Sequence, residues 1–395
     1  MKVFDFAVPT NVFFGCGEIK RVKELAPKLG KKVLLLAAKD TMRALGFLEK
    51  TENLLKEAGL EVVISDDVSP NPRDKDINKQ TELFLSEKCD FTVGLGGGSA
   101  MDSAKAVSFL AAQGGGNIRD YLAGGDKADL AAPGIKDAFP ILLITTTAGT
   151  GAEATPWWVI TNTEDHEKPG TGNDSTCADY AIVDPELMLT LPQGVTRSCG
   201  IDVLFHAMEA FIANIATPFT DLFAREAIRL VMENLGTVLE DGSNVEARSQ
   251  IAWANTIAGI AIGEGKSGTV GIHAMGHSIG GQTDAPHGMT MAAVCLPFMR
   301  KTCKSDISRY AEVTRMLGFA EPGMTEEQLA EKSPEALEKV LERFGCKITM
   351  SDLGVKEEMI EAMTDSVFKT MVNVLNCSLM ELNREDVIQL YKEAL

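Results

Sequence analysis

The sequence predicts two unlike parts: an α/β unit on a mostly parallel sheet over residues 1–184, then an all-helical unit over 185–395. Three observations carry this. Short apolar runs alternate with helix-period segments as far as Asp184-Pro185, and Gly-rich turns directly follow two of those runs. Beyond Pro185 glycine and proline thin out, and helical periodicity takes over.

The strand-like runs come first. VLLLAA (33–38) leads into a helical pattern through about Ala58, and EVVIS (61–65) into the break PNP (70–72) and a helix over roughly 75–88. FTVGLGGGSAMDSAKAVSFLAA (91–112) reads as strand, Gly-rich turn and helix, and PILLITTTAGTGAE (140–153) as a buried strand running into a Gly/Thr loop. WWVITN (157–162) and YAIVD (180–184) read as further strands. Helical periodicity then covers 202–216, 219–239, 246–263, 304–317, 325–344 and 356–375, with TPFTD (217–221) supplying an N-cap.

Composition narrows the function classes. A net charge of −18 argues against nucleic acid and anionic membranes as partners, since both need basic patches. No apolar run is long enough to span a bilayer, and the N-terminus does not read as a signal peptide. Eight scattered cysteines without a CxxC pair fit free thiols in a reducing cytoplasm.

GLGGGSAMDSAK (94–105) lies between a predicted strand and a predicted helix. Consecutive glycines let a phosphate approach the backbone, and the helix N-terminus offers free N–H groups. Ser99 adds a hydroxyl, and Asp102 falls in the first turn. The plainer reading is a tight turn with a Ser cap, which accounts for one glycine rather than the run. TTTAGTGAEAT (145–155) is a second small, hydroxyl-rich loop at the end of a strand, the end where such sheets bind ligands.

Four of the five histidines lie in two short segments of mostly small or apolar residues. In GIDVLFHAMEAF (200–211), Asp202 and His206 share one helical face; in GIHAMGHSIGGQTDAPHG (271–288), His273 and His277 repeat the spacing, and His287 follows a Gly-rich polar break. Carboxylate with imidazole suits a divalent metal such as Fe(II) or Zn(II). A set of Asp202, His206, His273 and His287 leaves a position open to a substrate oxygen, with His277 beside it as a proton carrier. The alternative is ordinary core or surface histidines, and His166, in TEDHEKPG, reads as a solvated loop residue.

These motifs, in this order, resemble the iron-containing (group III) alcohol dehydrogenases, on the lactaldehyde reductase and 1,3-propanediol dehydrogenase side of that family. FGCGEI, VSPNP, GGGSAMDSAK, TTAGTGAEAT, VITNTE, GIDVLFHAMEAF and the H-x-x-x-H…PHG stretch carry the likeness over essentially the whole chain. The resemblance implies an α/β N-terminal dinucleotide-binding domain (1–184) and an all-α C-terminal, metal-binding domain (185–395). It implies an NAD(P)-linked alcohol dehydrogenase or aldehyde reductase acting on a short alcohol or aldehyde, as a homodimer or larger homo-oligomer. Asp202, His206, His273 and His287 would hold Fe(II), with Zn(II) as the alternative, and His277 would relay a proton. Gly97, Gly98, Ser99 and Asp102 would meet the pyrophosphate and nicotinamide. Thr146, Thr147 and Thr150 would line the cofactor, and Lys168 would reach it.

Three positions depart from the pattern. The first strand ends in Ala38 before Lys39 and Asp40; Asp40 favours NAD(H) by meeting a ribose hydroxyl, whereas Lys39 would welcome the extra phosphate of NADP(H). Before His273 the chain reads AIGEGKSGTVGIH, with Glu264 and Lys266 at places that usually hold an aromatic residue and an Asn. Lys266 would read an anionic group on the substrate, unless it pairs with Glu264 at the surface. Trp157 and Trp158 stand where smaller or polar residues are usual, which puts Trp157 among the substrate-lining candidates. The rival readings are a glycerol-dehydrogenase-like polyol oxidoreductase, a dehydroquinate-synthase-like lyase, a metal-dependent hydrolase, which leaves the two Gly-rich loops without a purpose, and a non-catalytic metal or nucleotide sensor, for which an open coordination position and a relay histidine would be superfluous.

Overall fold

A computed structural model of the chain describes residues 3–128, 137–263 and 268–395. By internal contacts it divides into Ala7–Thr190 and a unit of Leu191–Leu395 joined by the first residues up to Phe6. The division falls a few residues beyond 184, because the turn Pro185–Met188 belongs with the strands: Leu187 is buried in their core. The N-terminal tip goes with the helices, where Phe6 stacks on Phe219 with ring centroids 4.0 Å apart.

The first unit is built on strands β1 Asn11–Phe14, β2 Lys32–Ala38, β3 Glu61–Val68, β4 Phe91–Gly96, β5 Ile141–Thr145 and β8 Tyr180–Val183, with a small antiparallel pair, β6 Trp158–Val159 and β7 Gly170–Thr171. The six-stranded sheet is parallel throughout, in the order β1-β8-β5-β4-β2-β3. The helices of this unit are α1 Val22–Leu25, α2 Thr41–Ala44, α3 Phe47–Glu57, α4 Asp74–Ser86 and α5 Gly98–Ala112. Both faces of the sheet are covered, which is why its strands read as unbroken apolar runs. Leu34 and Leu36 of β2 pack with Met101, Val107 and Leu110 of α5, while Val33, Leu35 and Ala37 pack in the opposite core with Leu25, Leu48 and Leu55. The side chains of β5 divide the same way, Ile141 and Leu143 to one core, Leu142 and Ile144 to the other.

Two strand expectations are corrected. Asn11–Phe14 is a strand, paired parallel with Tyr180–Val183, although nothing in its sequence marks it as one. Its four residues are too few to show alternation, and its partner lies far along the chain. WWVITN contributes only Trp158–Val159 to a ladder, because Trp157 turns outward while Thr161 bridges to Arg73.

The second unit is helical among its described residues: α6 Gln193–Ile212, α7 Pro218–Glu240, α8 Val245–Ile262, α9 Gly271–Thr283, α10 His287–Thr302, α11 Ile307–Met316, α12 Glu326–Phe344, α13 Ile360–Thr370, α14 Val372–Leu375 and α15 Arg384–Ala394. Thr217 caps α7 through a reciprocal bond with Thr220, as TPFTD implied. The first expected helix, 202–216, in fact starts at Gln193 and stops at Ile212. The expected break before His287 is shorter than GGQTDAP: the glycines belong to α9, and only Asp284, in the left-handed conformation, Ala285 and Pro286 separate it from α10. From Gly200 to Ile212, and from Gly271 to Gly281, α6 and α9 are buried without interruption, so the polar residues within them need partners. No helix among the described residues is long and apolar enough to cross a membrane.

Candidate metal centre

Helices α6, α9 and α10 bring the histidines together. Asp202 and His206 lie one turn apart on α6, and His273 faces them from α9. One ligand atom from each of these three buried residues falls within 4.8 Å of the others. Asp202 Oδ1 is 3.6 Å from His273 Nε2 and 3.9 Å from His206 Nδ1. The rings of His206 and His273 are 4.5 Å apart, centroid to centroid. His287, the first residue of α10, lies with its ring 5.4 Å from His273 and 4.9 Å from His277, while His277 is 6.1 Å from His273.

The donor set fits a divalent cation. Asp202 Oδ1 and His273 Nε2 are buried atoms without a hydrogen-bond partner, and each lies beyond hydrogen-bond reach of the other. A carboxylate oxygen and an imidazole nitrogen aimed at a common space in an apolar interior make a place for positive charge. The field at His273 has the same sense. Burial opposes a charge on its ring, but Glu209, followed by Asp202, outweighs that and raises it to about 9.

Glu209 is the residue that reading the sequence for ligands missed. It is wholly buried on α6, and its Oε1 lies 2.6 Å from His273 Nδ1. Its Oε2 accepts the backbone N–H of Val270 at 2.7 Å and of His273 at 3.2 Å. The signal was present: Asp202, His206 and Glu209 fall on one face of a helix.

In the first unit, the Gly-rich turn lies at the point where the order of the sheet reverses. From β2 the chain crosses to β3 on one side, then returns to place β4, β5 and β8 on the other. Such a switch point is where open parallel sheets bind ligands, beyond the C-terminal strand ends. Gly96 ends β4 beside Ala38 of β2, and α5 starts at Gly98 without a side-chain cap. A Cβ on Gly97 would stand 2.8 Å from Thr147 Oγ1, and one on Gly98 would stand 2.7 Å from Thr150 Cγ2. The two small-residue loops are thus pressed together, with Gly97, Gly98, Ser99, Thr147 and Thr150 half-buried and Thr146 buried on the end of β5. Asp102 Oδ2 accepts the Val159 N–H at 3.1 Å, and burial raises its carboxyl to about 6, against the pull of Lys105.

Lys105 is wholly buried and donates to the carbonyls of Ala152 and Thr155, each at 2.6 Å, and of Trp157 at 2.9 Å. It ties the threonine loop to α5, a role the motif did not declare. Lys168 Nζ is bound to Asn71 Oδ1 at 2.6 Å, and Asp40 is exposed just past the end of β2. Trp157 is 39% exposed, while Trp158 is buried against Phe109. Glu264 and Lys266 lie outside the described residues.

Two family models match the chain, "Iron-containing alcohol dehydrogenase" over residues 9–185 and "Fe-containing alcohol dehydrogenase family, C-terminal" over 196–395. The chain belongs to the iron-containing alcohol dehydrogenase family. It is a metal-dependent alcohol dehydrogenase, an oxidoreductase acting on CH–OH groups. It is 36% identical to the 1,3-propanediol dehydrogenase of Klebsiella pneumoniae over 370 residues, covering 93% of each chain. It is 34% identical to the NAD-dependent methanol dehydrogenase of Bacillus methanolicus, covering 99% of this chain and 100% of that one. Among solved structures, an archaeal halo-thermophilic alcohol dehydrogenase from a Red Sea brine pool superposes with a TM-score of 0.95 at 32% identity, each chain covered in full. The fold is that of the family: a parallel-sheet N-terminal domain and a helical C-terminal domain.

Proposed function

We propose that this dehydrogenase holds Fe(II) between Asp202, His206, His273 and His287, and uses NAD(H) to interconvert a short alcohol and its aldehyde. The observation that carries the metal assignment is the pair of buried atoms without a hydrogen bond, Asp202 Oδ1 and His273 Nε2, 3.6 Å apart and with the His206 ring beside them. His287 completes the set from the start of α10; Zn(II) would suit the same ligands. When bound, the metal supplies Lewis acidity toward the alcohol oxygen, and the nicotinamide exchanges hydride with the carbon that bears it. The protein's own contribution is orientation and proton movement. The His277 ring lies next to His287 and farther from His273, a position suited to carrying the hydroxyl proton rather than to ligation.

The glycine turn and the uncapped N-terminus of α5 take the pyrophosphate, with Gly97, Gly98 and Ser99 nearest. Thr146, Thr147, Thr150 and Asp102 line the nicotinamide side, and Lys168 borders the same loop region. Asp40, exposed beyond β2, meets the adenosine ribose hydroxyl and favours NAD(H) over NADP(H). The enzyme is cytoplasmic, as its scattered cysteines without a CxxC pair imply, and works as a homodimer or larger homo-oligomer, as the sequence resemblance implies. Trp157, Glu264 and Lys266 are assigned to the substrate, with Lys266 reading an anionic group where one is present.

The test is elemental analysis of the purified chain followed by a nicotinamide absorbance assay on neutral and anionic short aldehydes. Metal-dependent oxidation of NADH with at least one aldehyde is expected, NADPH serving less well. No turnover on any aldehyde by a fully metal- and cofactor-loaded chain would contradict the reading. On Lys266→Ala, a larger loss for anionic than for neutral aldehydes is expected, and equal losses would remove Lys266 from the site.

A further inference from the structure

We propose that Glu209 is the positioning residue of the metal centre, fixing the proton of His273 on Nδ1 and so presenting Nε2 to the cation. The inference rests on His273 being a ligand. A carboxylate only accepts hydrogen bonds, so the 2.6 Å contact with His273 Nδ1 requires the proton to sit on that nitrogen. The other ring nitrogen, Nε2, faces Asp202 Oδ1 at 3.6 Å and is the one left to give its lone pair to a cation, which displaces any proton it carries. A partner on the far nitrogen of a metal-binding histidine, one that sets its tautomer and ring direction, is a general requirement of such sites.

The second oxygen of Glu209 does a different job for the same end. Val270, which precedes α9, has no side-chain cap of its own. Glu209 Oε2 accepts the N–H groups of Val270 and His273, capping α9 from a neighbouring helix. The negative charge also suits the N-terminal end of a helix. One side chain thus determines where α9 begins, how the ring of His273 is turned, and which nitrogen is left for the metal. Capping alone does not require this residue. A short neutral side chain serves that purpose elsewhere in the chain, as Asn244 does for α8, without burying a full charge.

Glu209→Gln keeps the shape but brings an NH₂ group. That group must face either the Nδ1–H of His273 or the two backbone N–H groups, donor against donor. The full-length chain, stripped and reloaded with Co(II), is the sample, with affinity measured by competition against a chromophoric chelator and the ligand field read from the visible Co(II) bands. Glu209→Gln is expected to weaken Co(II) binding by about 10–100-fold and to shift the bands. Wild-type affinity with wild-type bands would overturn the proposal, whatever happens to the melting temperature. Asp202→Asn is the control arm. If it binds Co(II) as tightly as wild type, the ligand assignment itself fails and takes this inference with it. If it loses Co(II) while Glu209→Gln does not, only the positioning role fails. Should Glu209→Gln not fold, the zinc-loaded wild type labelled with ¹⁵N-histidine answers the question. A protonated Nδ1 on His273 is expected there, and a proton-free Nδ1 overturns the proposal.

Discussion

Asp102 is a carboxyl group held where its charge is unwelcome. Burial lifts it from 3.8 to about 6, only partly offset by Lys105, by the Val159 N–H and by Lys168. Between those values the folded chain keeps a proton that the unfolded chain has released. Its contribution to stability is therefore full below about pH 4 and is lost as pH rises through about 6. Asp102→Asn is thus expected to melt higher than wild type at neutral pH, the difference closing toward pH 4, while binding the nicotinamide cofactor less well. Thermal melts across that range, without cofactor, check the sign; equal melting temperatures at neutral pH would refute it. At this scale the site was partly legible. Asp202, His206 and His273 stood out as polar residues within apolar helical runs, and the structure brings them together. Glu209 shares their face yet escaped notice, because a glutamate at helical spacing reads equally well as a surface residue. Lys105 escaped for a related reason: nothing in GGGSAMDSAK reveals that its ammonium is buried against three carbonyls contributed by a loop about fifty residues away.

Individual elements are held by close approaches that leave no room for substitution. A Cβ on Gly288, the second residue of α10, would lie 2.0 Å from the carbonyl oxygen of Ser198 on α6. A backbone oxygen cannot swing aside, so Gly288→Ala must push α10 away from α6 and carry His287 from Asp202. A loss of about 1–3 kcal/mol in stability and weaker metal binding are expected, measured by denaturant melts and metal titration. Unchanged values would show that the two helices are not fixed by this contact. In the first unit the fastening is Lys105. Lys105→Met leaves three carbonyls without their donor in a loop that lines the glycine turn, and each unmade bond at a buried group costs about 1–3 kcal/mol. A lower melting temperature and a raised KM for the cofactor, more than a lowered kcat, are the expected results. A variant with wild-type KM would separate Lys105 from cofactor binding. Element boundaries were less legible than element types. Helix α6 begins before its apolar stretch because the polar residues at 193–199 carry no period, although Pro192 marks the start. The break before His287 looked longer than it is because glycine is a weak helix former, and tertiary burial in α9 overrides that preference.

At the scale of the molecule, the division into a parallel sheet and a helical unit was readable for a definite reason. Parallel strands covered on both faces appear as continuous apolar runs, and buried helices appear as long periodic ones, so the change of pattern marks the change of architecture. The strand order, and with it the position of the glycine turn at the switch point, was not readable, because the pairing of β2 with both β3 and β4, like that of Asn11–Phe14 with Tyr180–Val183, leaves no local trace. Nor was the packing of Phe6 with Phe219, which joins the chain's first residues to the helical unit. The central claim is that one metal ion, held by residues of the helical unit, is required for nicotinamide-linked alcohol oxidation. The direct test is to strip the full-length chain with a chelator, confirm the loss by elemental analysis, and restore Fe(II) stepwise while following NADH formation from a short alcohol. The rate should be abolished in the stripped chain and return in proportion to bound iron, reaching its maximum at one ion per chain. Undiminished turnover by chain shown to be free of metal would contradict the account.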